Sequence, residues 1–173
     1  MRFVKPLQLA LNLAKTPKKK RGRLLGLDVG DRYVGVAFSD PKNKIASPFC
    51  VLVRKKTNID NLANDFSTLI SEFSSNTFVV GMPFDKPRSS SEAYQVKAFM
   101  DELGKTGKFE GLQYTYWNEC FTSKNVELLL KPLNLNPVQE KTILDKFAAV
   151  GILQGYLDYA NRKKEEATEE HSK

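Results

Sequence analysis

The apolar run from Leu24 to Val29 constrains the fold of this chain more than any other feature, because only one of its residues is charged. A strand that is apolar on both faces is typical of a sheet covered on both sides by other elements. Two further strands are predicted over residues 33–38 and 45–53, and turn residues separate them. Pro48 in the third strand indicates an edge position or a bulge. Together the three strands predict an antiparallel meander.

Helices and strands alternate after the meander. The apolar residues of segment 58–73 recur at the helical period, which predicts the clearest helix of the chain. The remaining predicted elements are a strand over 77–81, a helix from a capping box of Ser89 and Glu92 to about residue 103, a strand over 112–117, a short helix over 122–130 and a last helix from 137 or 138 to about 161. The tail from Lys163 onward is charged, and we expect it to fray. This order predicts an α/β fold, with a mixed sheet and helices on both of its faces.

The positive charge of the chain is concentrated at its N-terminus. The net charge is +7, and residues 1–27 carry eight basic side chains and no acidic one, so the remaining 19 basic and 20 acidic residues nearly cancel. We divide the chain into a basic arm over residues 1–22, one domain over 23–161 and a charged tail over 162–173. The apolar residues of the arm fit either a strand or a helix. Three interpretations of the arm stay open: a segment packed on the domain, a contact for polyanions or a nuclear address, and an organelle transit peptide.

The residue types available for catalysis are restricted. The single histidine, His171, lies near the C-terminus in a polar segment, which argues against a serine or cysteine nucleophile paired with histidine and against a histidine-ligated zinc site. Two cysteines are too few for a four-sulfur zinc site, and we expect both to be reduced. No run of roughly 20 apolar residues, the length that a membrane helix needs, is present. Catalysis must therefore depend on carboxylates, lysines or hydroxyls.

Three acidic residues occupy positions that suit chemistry better than structure. Asp28 ends a buried strand, Glu119 follows another strand closely, and Asp145 shares a helix face with small and apolar residues. Carboxylates that converge repel one another unless a cation lies between them, and Mg²⁺ or Mn²⁺ prefers oxygen ligands. Two such ions can activate a water and stabilise the leaving oxygen of a phosphodiester. Each acid also has a structural alternative, as a turn residue, a helix cap and a solvent-facing helix residue, respectively.

Four segments resemble, in order, the motifs of the YqgF (RuvX-like) family. They are LGLDVGDRYVGVA at 25–37, VVGMPF at 79–84, NECFTS at 118–123 and LDKFAAVGIL at 144–153. The resemblance implies an RNase H-like fold with a mixed five-stranded sheet, and a metal-dependent nuclease. Family members are described as Holliday junction resolvases or as nucleases that mature the 16S ribosomal RNA precursor. Asp28, Glu119 and Asp145 match the family's acidic positions, so the resemblance implies that they are catalytic and hold Mg²⁺ or Mn²⁺ in a two-ion site.

The chain departs from the family pattern around its second acid. Asn118 stands where the family has an aspartate, and Cys120 stands where it has an arginine. Cysteine cannot hold a phosphate in the bidentate manner of arginine. Ala148 and Ala149 follow Asp145, at positions where related resolvases often carry a further ligand. Because of these departures, two alternatives stay open: the protein is a weakly active nuclease, or it is a non-catalytic RNA-binding module of ribosome assembly.

The sequence therefore predicts a metal-dependent nuclease that hydrolyses phosphodiester bonds in structured nucleic acid, above all in the ribosomal RNA precursor. A DNA endonuclease that acts on Holliday junctions is the alternative. The basic side chains expected to contact nucleic acid are Lys18, Lys19, Lys20, Arg21, Arg32, Lys86, Arg88 and Lys146. We expect the protein to be a monomer or a homodimer that does not contact a membrane. We expect it to be intracellular and to lie in the cytoplasm, with an organelle or the nucleus as alternatives.

Overall fold

The structure is a computed structural model that describes residues 1–55, 57–85, 87, 90–118 and 131–170. The strands of the described residues are β1 (Arg2–Phe3), β2 (Leu24–Val29), β3 (Tyr33–Ser39), β4 (Ala46–Val53), β5 (Thr77–Met82) and β6 (Gln113–Asn118). The helices are α1 (Pro6–Lys15), α2 (Ile59–Glu72), α3 (Ser91–Lys105) and α4 (Pro137–Glu170), with short 3₁₀ turns at Lys18–Lys20 and Lys131–Leu133. The strands form one sheet in the order β1-β6-β5-β2-β3-β4.

The predicted meander is present at one side of this sheet. β2, β3 and β4 are antiparallel neighbours, whereas β5, β6 and β1 continue the sheet parallel to β2. The register between β3 and β4 shifts at Val36 and Ala37, opposite Cys50 and Pro48. Pro48 therefore lies in an edge strand and beside a bulge, two places where the missing N–H of proline costs no ladder bond. The predicted class, a mixed α/β sheet, is confirmed.

Helices cover both faces of the sheet, as the apolar run of β2 predicts. On one face, Leu27 joins the cluster that contains Phe66 of α2 and residues of α3. On the other face, Leu24 joins the cluster that contains Tyr156 of α4. Successive side chains of a strand point to opposite faces, so Asp28, four residues after Leu24, lies on the α4 face. The sheet thus has an α2/α3 face and an α4 face.

The N-terminal segment packs on the domain through its first fifteen residues. β1 pairs in parallel with β6, and it adds a sixth strand to the five that were predicted. Of the two patterns that the sequence allowed, the helix forms: Pro6 stands at its start, where a missing N–H costs nothing. The helical period turns Leu9 and Ala10 towards α4, and both side chains are buried. The Tyr156 hydroxyl donates a hydrogen bond to the Pro6 carbonyl at 3.2 Å.

The start of α3 and the end of α4 differ from their prediction. Ser90, not Ser89, caps α3, because its side chain accepts a hydrogen bond from the Ala93 N–H at 3.3 Å. The last helix does not fray at Lys163 but continues to Glu170; this end is rich in helix-forming residues, and the Lys163 ammonium pairs with Glu166 at 2.6 Å. The helix predicted over 122–130 lies outside the described residues. Within the part of the chain that the structure describes, no helix is both long and apolar enough to span a bilayer.

Candidate active site

The candidate site lies at the edge of the sheet where three parallel strands end. β2, β5 and β6 run in the same direction, so their carboxyl ends meet at one edge. In open α/β sheets this edge is where ligands bind. Asp28 is the penultimate residue of β2, and Asn118 is the last residue of β6. Glu119, the next residue in the sequence, lies outside the described residues, so the structure does not test its predicted role.

Gly35 brings the last helix next to Asp28. Gly35 is the antiparallel partner of Asp28, and directly opposite residues have Cα atoms about 4.5–5.5 Å apart and side chains on the same face. A Cβ atom placed on Gly35 would lie 2.8 Å from the carbonyl carbon of Asp145 and closer still to its oxygen. The backbone of α4 at Asp145 therefore rests directly on the strand residue beside Asp28. The structure brings Asp28 and Asp145 to one corner of the sheet.

A second glycine supports the same helix farther from the edge. A Cβ atom on Gly26 would lie 2.6 Å from Cβ of Leu153 and 2.9 Å from the carbonyl oxygen of Ala149. Ala149 is fully buried, as its small size and position predict, whereas Ala148 is only half-buried. Gly26 and Gly35 both lie on the α4 face, so the sheet and the helix approach each other at backbone distance. The sequence signal for this contact is glycine at two positions of neighbouring strands that face one helix.

The electrostatics at this corner favour a cation. Burial raises the pKa of Asp145 above its ordinary value of 3.8, and the nearby Lys141 ammonium acts in the opposite direction. The Lys141 Nζ also lies 5.7 Å from the ring centroid of Tyr33, the first residue of β3. A charge that the protein only partly solvates is stabilised by a cation close to it. Lys141 is a residue that sequence reasoning missed, since its helical position alone does not show what it faces.

Asp28 and Asp145 have the chemistry of a site for a hard divalent cation, but they are only part of such a site. Asp28 and Asp145 offer carboxylate oxygens, the donors that Mg²⁺ and Mn²⁺ prefer. Within the described ranges no group of three or more acidic, histidine or cysteine side chains is arranged to hold a metal ion. The third acid of the resemblance, Glu119, is outside those ranges. Two of the three acids that the motif resemblance implies as ligands, Asp28 and Asp145, are therefore among the described residues.

Arg54 fastens the turn that follows Asp28. Its guanidinium donates a hydrogen bond to the Gly30 carbonyl at 3.1 Å, and its backbone N–H donates to the Arg32 carbonyl at 2.7 Å. The same guanidinium lies 4.9 Å from the ring centroid of Phe99 in α3. In the sequence, Arg54 directly follows β4 and precedes two lysines, a pattern typical of a solvated loop. The structure instead ties it to the backbone next to the candidate site.

The basic cluster of the N-terminal segment lies at the other end of the sheet. Lys18–Lys20 are exposed and precede β2, while Asp28 is near the end of that strand. Asp28 is four residues after Leu24 in the strand, which places the two Cα atoms about 13 Å apart. Arg21 donates a hydrogen bond to the Thr16 carbonyl at 2.8 Å. The structure thus separates Lys18, Lys19, Lys20 and Arg21 from the two acids.

Of the four other residues predicted to contact nucleic acid, the structure describes two. Arg32 is exposed in the turn between β2 and β3, at the same edge as Asp28. Lys146 follows Asp145 in α4 but lies near Cys50 of β4, where its charge opposes the effect of burial on the thiol. Burial still raises the pKa of the Cys50 thiol to about 11. Lys86 and Arg88 lie outside the described residues.

Comparison with known proteins identifies a family profile and several relatives that this chain resembles. Residues 22–159 match the profile of the RuvX family, described as "Holliday junction resolvase". A protein of Caldicellulosiruptor saccharolyticus, named "Putative pre-16S rRNA nuclease", is 37% identical over 142 residues, which cover 80% of this chain and 99% of that protein. A protein of Lachnospira eligens with the same name is 34% identical over 137 residues, which cover 79% of this chain and 96% of that protein.

Solved structures support the fold. The RuvC protein of T. thermophilus, in complex with a Holliday junction substrate, aligns with a TM-score of 0.51 and 16% identity. The alignment covers 82% of this chain and 96% of that one. A second structure, of Thermus thermophilus RuvC, aligns with a TM-score of 0.50 and 13% identity. At this identity the likeness shows the fold alone, and the RNase H-like fold implied by the sequence motifs is confirmed.

Proposed function

The chain belongs to the RuvX family, and from that premise we propose that it is a nuclease that cleaves phosphodiester bonds in structured RNA during maturation of the ribosomal RNA precursor. The observation that carries the proposal is the contact of the Asp145 backbone with Gly35, the strand partner of Asp28. It puts two acidic residues at the carboxyl edge of the parallel strands, and none of the described residues is a histidine that could serve as a base. The relatives named above support the choice of RNA as substrate.

Divalent cations belong to this proposal, because the donor set is made of carboxylates. Asp28 and Asp145, together with Glu119 on the strength of the motif resemblance, would hold Mg²⁺ or Mn²⁺. Such ions lower the pKa of water and stabilise the charge of the leaving oxygen. The chain's own residues fix the geometry: Asp28 is held in a central strand, and Asp145 is held by the backbone contact of α4. Rigid elements are what precise positioning requires.

Cationic side chains at the same edge would bind the phosphates of the substrate. Arg32 is exposed in the turn after Asp28, and Lys141 lies near Asp145. An arginine can hold a phosphate with two hydrogen bonds, whereas a lysine acts as a point charge. Their role is to orient the phosphodiester against the two carboxylates. Because these contacts are to the backbone of the substrate, they carry no sequence information.

The test is a cleavage assay on two substrates, a structured RNA that contains the end of a 16S precursor and a four-way DNA junction. Each is incubated with Mg²⁺, with Mn²⁺ and with a chelator. We expect the wild-type protein to cleave the RNA only with a divalent ion, and Asp28→Asn to lose at least about 100-fold in rate, as when one reacting group is misplaced. Asp31→Asn is the matched control, since Asp31 is exposed in the turn just after β2. Equal cleavage by wild type and Asp28→Asn would refute the proposal.

Two other functions are separated by the same assay. The description of the family profile favours cleavage of Holliday junctions, which predicts faster cleavage of the DNA junction than of the RNA. Asn118, at the position where the resemblance expects an aspartate, favours a non-catalytic RNA-binding module. That function predicts RNA binding that weakens with salt and no cleavage with either ion. Loss of cleavage in the chelator would exclude the binding module.

A further inference from the structure

An open pocket of about 510 Å³ lies near the carboxyl ends of β5 and β6, on the α2/α3 face of the sheet, opposite to the face of Asp28. One wall is built by the N-terminal segment, with Phe3 of β1 and Pro6 of α1. Phe84, just after β5, Tyr116 of β6 and Lys97 of α3 also line the pocket. Phe3 and Pro6 lie outside residues 22–159, which match the family profile. This chain therefore adds a wall to a pocket of its family domain.

The pocket exposes flat aromatic surface that the fold does not use. Phe3 is 46% exposed and Phe84 is 56% exposed, although burial of a phenylalanine side chain normally stabilises a protein. The ring centroids of Phe3 and Tyr116 are 5.5 Å apart, so the lining is a continuous aromatic surface rather than one isolated ring. Lys97 adds an exposed ammonium at the rim. Aromatic rings combined with a cation are what single-stranded nucleic acid binds, through base stacking and phosphate contact.

The position of the pocket fits a nucleotide next to the cleaved bond. Met82, which also lines the pocket, is the last residue of β5 and pairs with Asn118 at the carboxyl edge. β6 is separated from β2 by one strand, and neighbouring strands lie about 4.8 Å apart, so Tyr116 is about 10 Å across the sheet from the strand of Asp28. Asp28 lies on the opposite face. A strand of nucleic acid that crosses the edge can place its phosphodiester at Asp28 and the neighbouring base in the pocket.

We propose that this pocket binds an unpaired nucleobase of the substrate, one nucleotide away from the phosphodiester at Asp28 and Asp145, and this rests on the proposed nuclease function. The charge of the chain favours this occupant over an acidic or apolar partner. Arg2 and Lys5, the sequence neighbours of Phe3 and Pro6, are exposed, and Lys97 lines the pocket, so the basic side chains around it attract a polyanion. The base would stack on Phe3 and Phe84, while its phosphate would face the ammonium.

The test is a binding measurement on the full chain in a chelator, where no cleavage occurs. The probe is a short single strand with one 2-aminopurine, prepared as RNA and as DNA, because stacking quenches the fluorescence of this base. We expect wild type to quench the probe, and Phe3→Ala and Phe84→Ala each to weaken binding about fivefold or more, the range found when a stacking side chain is removed. Leu7→Ala is the matched control: Leu7 lies in the same segment and is also 46% exposed, but it does not line the pocket.

Each outcome separates the two proposals. If both phenylalanine variants bind and quench as wild type does, the base pocket is refuted, whatever the cleavage assay shows. If they lose binding and quenching while Leu7→Ala does not, the pocket is supported even when wild type cleaves nothing. Should Phe3→Ala unfold because it disturbs β1, Phe84→Ala decides alone, since Phe84 lies after β5 and outside any strand.

Discussion

Replacement of Gly35 by alanine tests the contact on which the candidate site depends. The new Cβ would lie 2.8 Å from the carbonyl carbon of Asp145, whereas carbon atoms in contact are about 3.5–4.0 Å apart. The alanine Cβ is fixed to the strand backbone and the atom it meets is helix backbone, so no rotamer change can relieve the overlap. The helix must retreat from the sheet by about 1 Å, and it carries Asp145 away from Asp28. Gly35→Ala therefore changes the geometry of the site without changing any of its acids.

The expected loss of stability and the expected loss of turnover are large enough to be measured separately. Overpacking a closed contact costs about 1–3 kcal/mol, and in a chain of this size each kcal/mol lowers the melting temperature by about 2–4 °C. A displacement of about 1 Å at a reacting group can cost about 100-fold in rate. We therefore expect Gly35→Ala to remain folded at assay temperature and to lose about 100-fold in turnover with Mg²⁺ or Mn²⁺. Thermal unfolding and a cleavage time course measure the two effects on the same preparation.

Two other glycines serve as controls. Gly104→Ala adds a methyl group in α3, where the nearest atom is Met1 Cε at 3.5 Å, so we expect unchanged turnover and stability equal to or slightly above wild type. Gly26→Ala strains the same helix at Leu153, two turns beyond Asp145, so we expect lost stability with a smaller loss of turnover than in Gly35→Ala. Wild-type turnover in a folded Gly35→Ala protein would refute the reasoning.

Four further predictions concern single residues. Asp145→Asn should lose cleavage yet be at least as stable as wild type in a chelator, because burial disfavours the ionised carboxylate; a lower melting temperature would contradict this. Leu9→Ala should cost about 2–5 kcal/mol in chemical unfolding, since Leu9 is only 1% exposed; a change near zero would mean that α1 is not part of the fold. Cys50, with a thiol pKa of about 11, should be alkylated at least about 100-fold more slowly at pH 8 than a free thiol, and faster as the pH rises towards 11, in peptide-mapped labelling. Arg54→Lys keeps the charge but loses the hydrogen bond to Gly30, so kcat should fall while KM stays; an unchanged kcat would remove Arg54 from the positioning of Asp28.

Most of the fold could be predicted because its elements have clear periods. The buried strand β2, the meander and the amphipathic helix α2 follow from apolar patterns that lie within each segment. The strand β1 could not be predicted, since Arg2–Phe3 is too short to have a period and forms only because β6 offers a free edge. The helix over residues 6–15 competed with a strand in the sequence, and the packing partner on α4 decided between them. Local patterns therefore identify elements, while their neighbours depend on tertiary structure.

The site could be predicted only where a motif marks it. Asp28 and Asp145 were identified from their unusual context and from the resemblance, and the structure brings them to one corner. The position of a basic residue in the sequence does not show how close it lies to these two acids. Lys18–Lys20 form the densest basic run, yet they lie at the other end of the sheet, whereas Lys141 lies beside Asp145. Charge density in sequence does not show which end of a strand a side chain occupies.

The constraint on this site belongs to the backbone rather than to its side chains. Asp28 is fixed by the ladder of β2, and Asp145 is fixed because its own carbonyl rests on the Cα of Gly35. A side chain between the sheet and α4 could adjust by changing rotamer, but two backbones in contact cannot. The distance between the two acids is then set by the approach of the helix, which Gly26 and Ala149 also define. A site built in this way tolerates changes in the surrounding charges, such as Asn118, more readily than a single methyl group at Gly35.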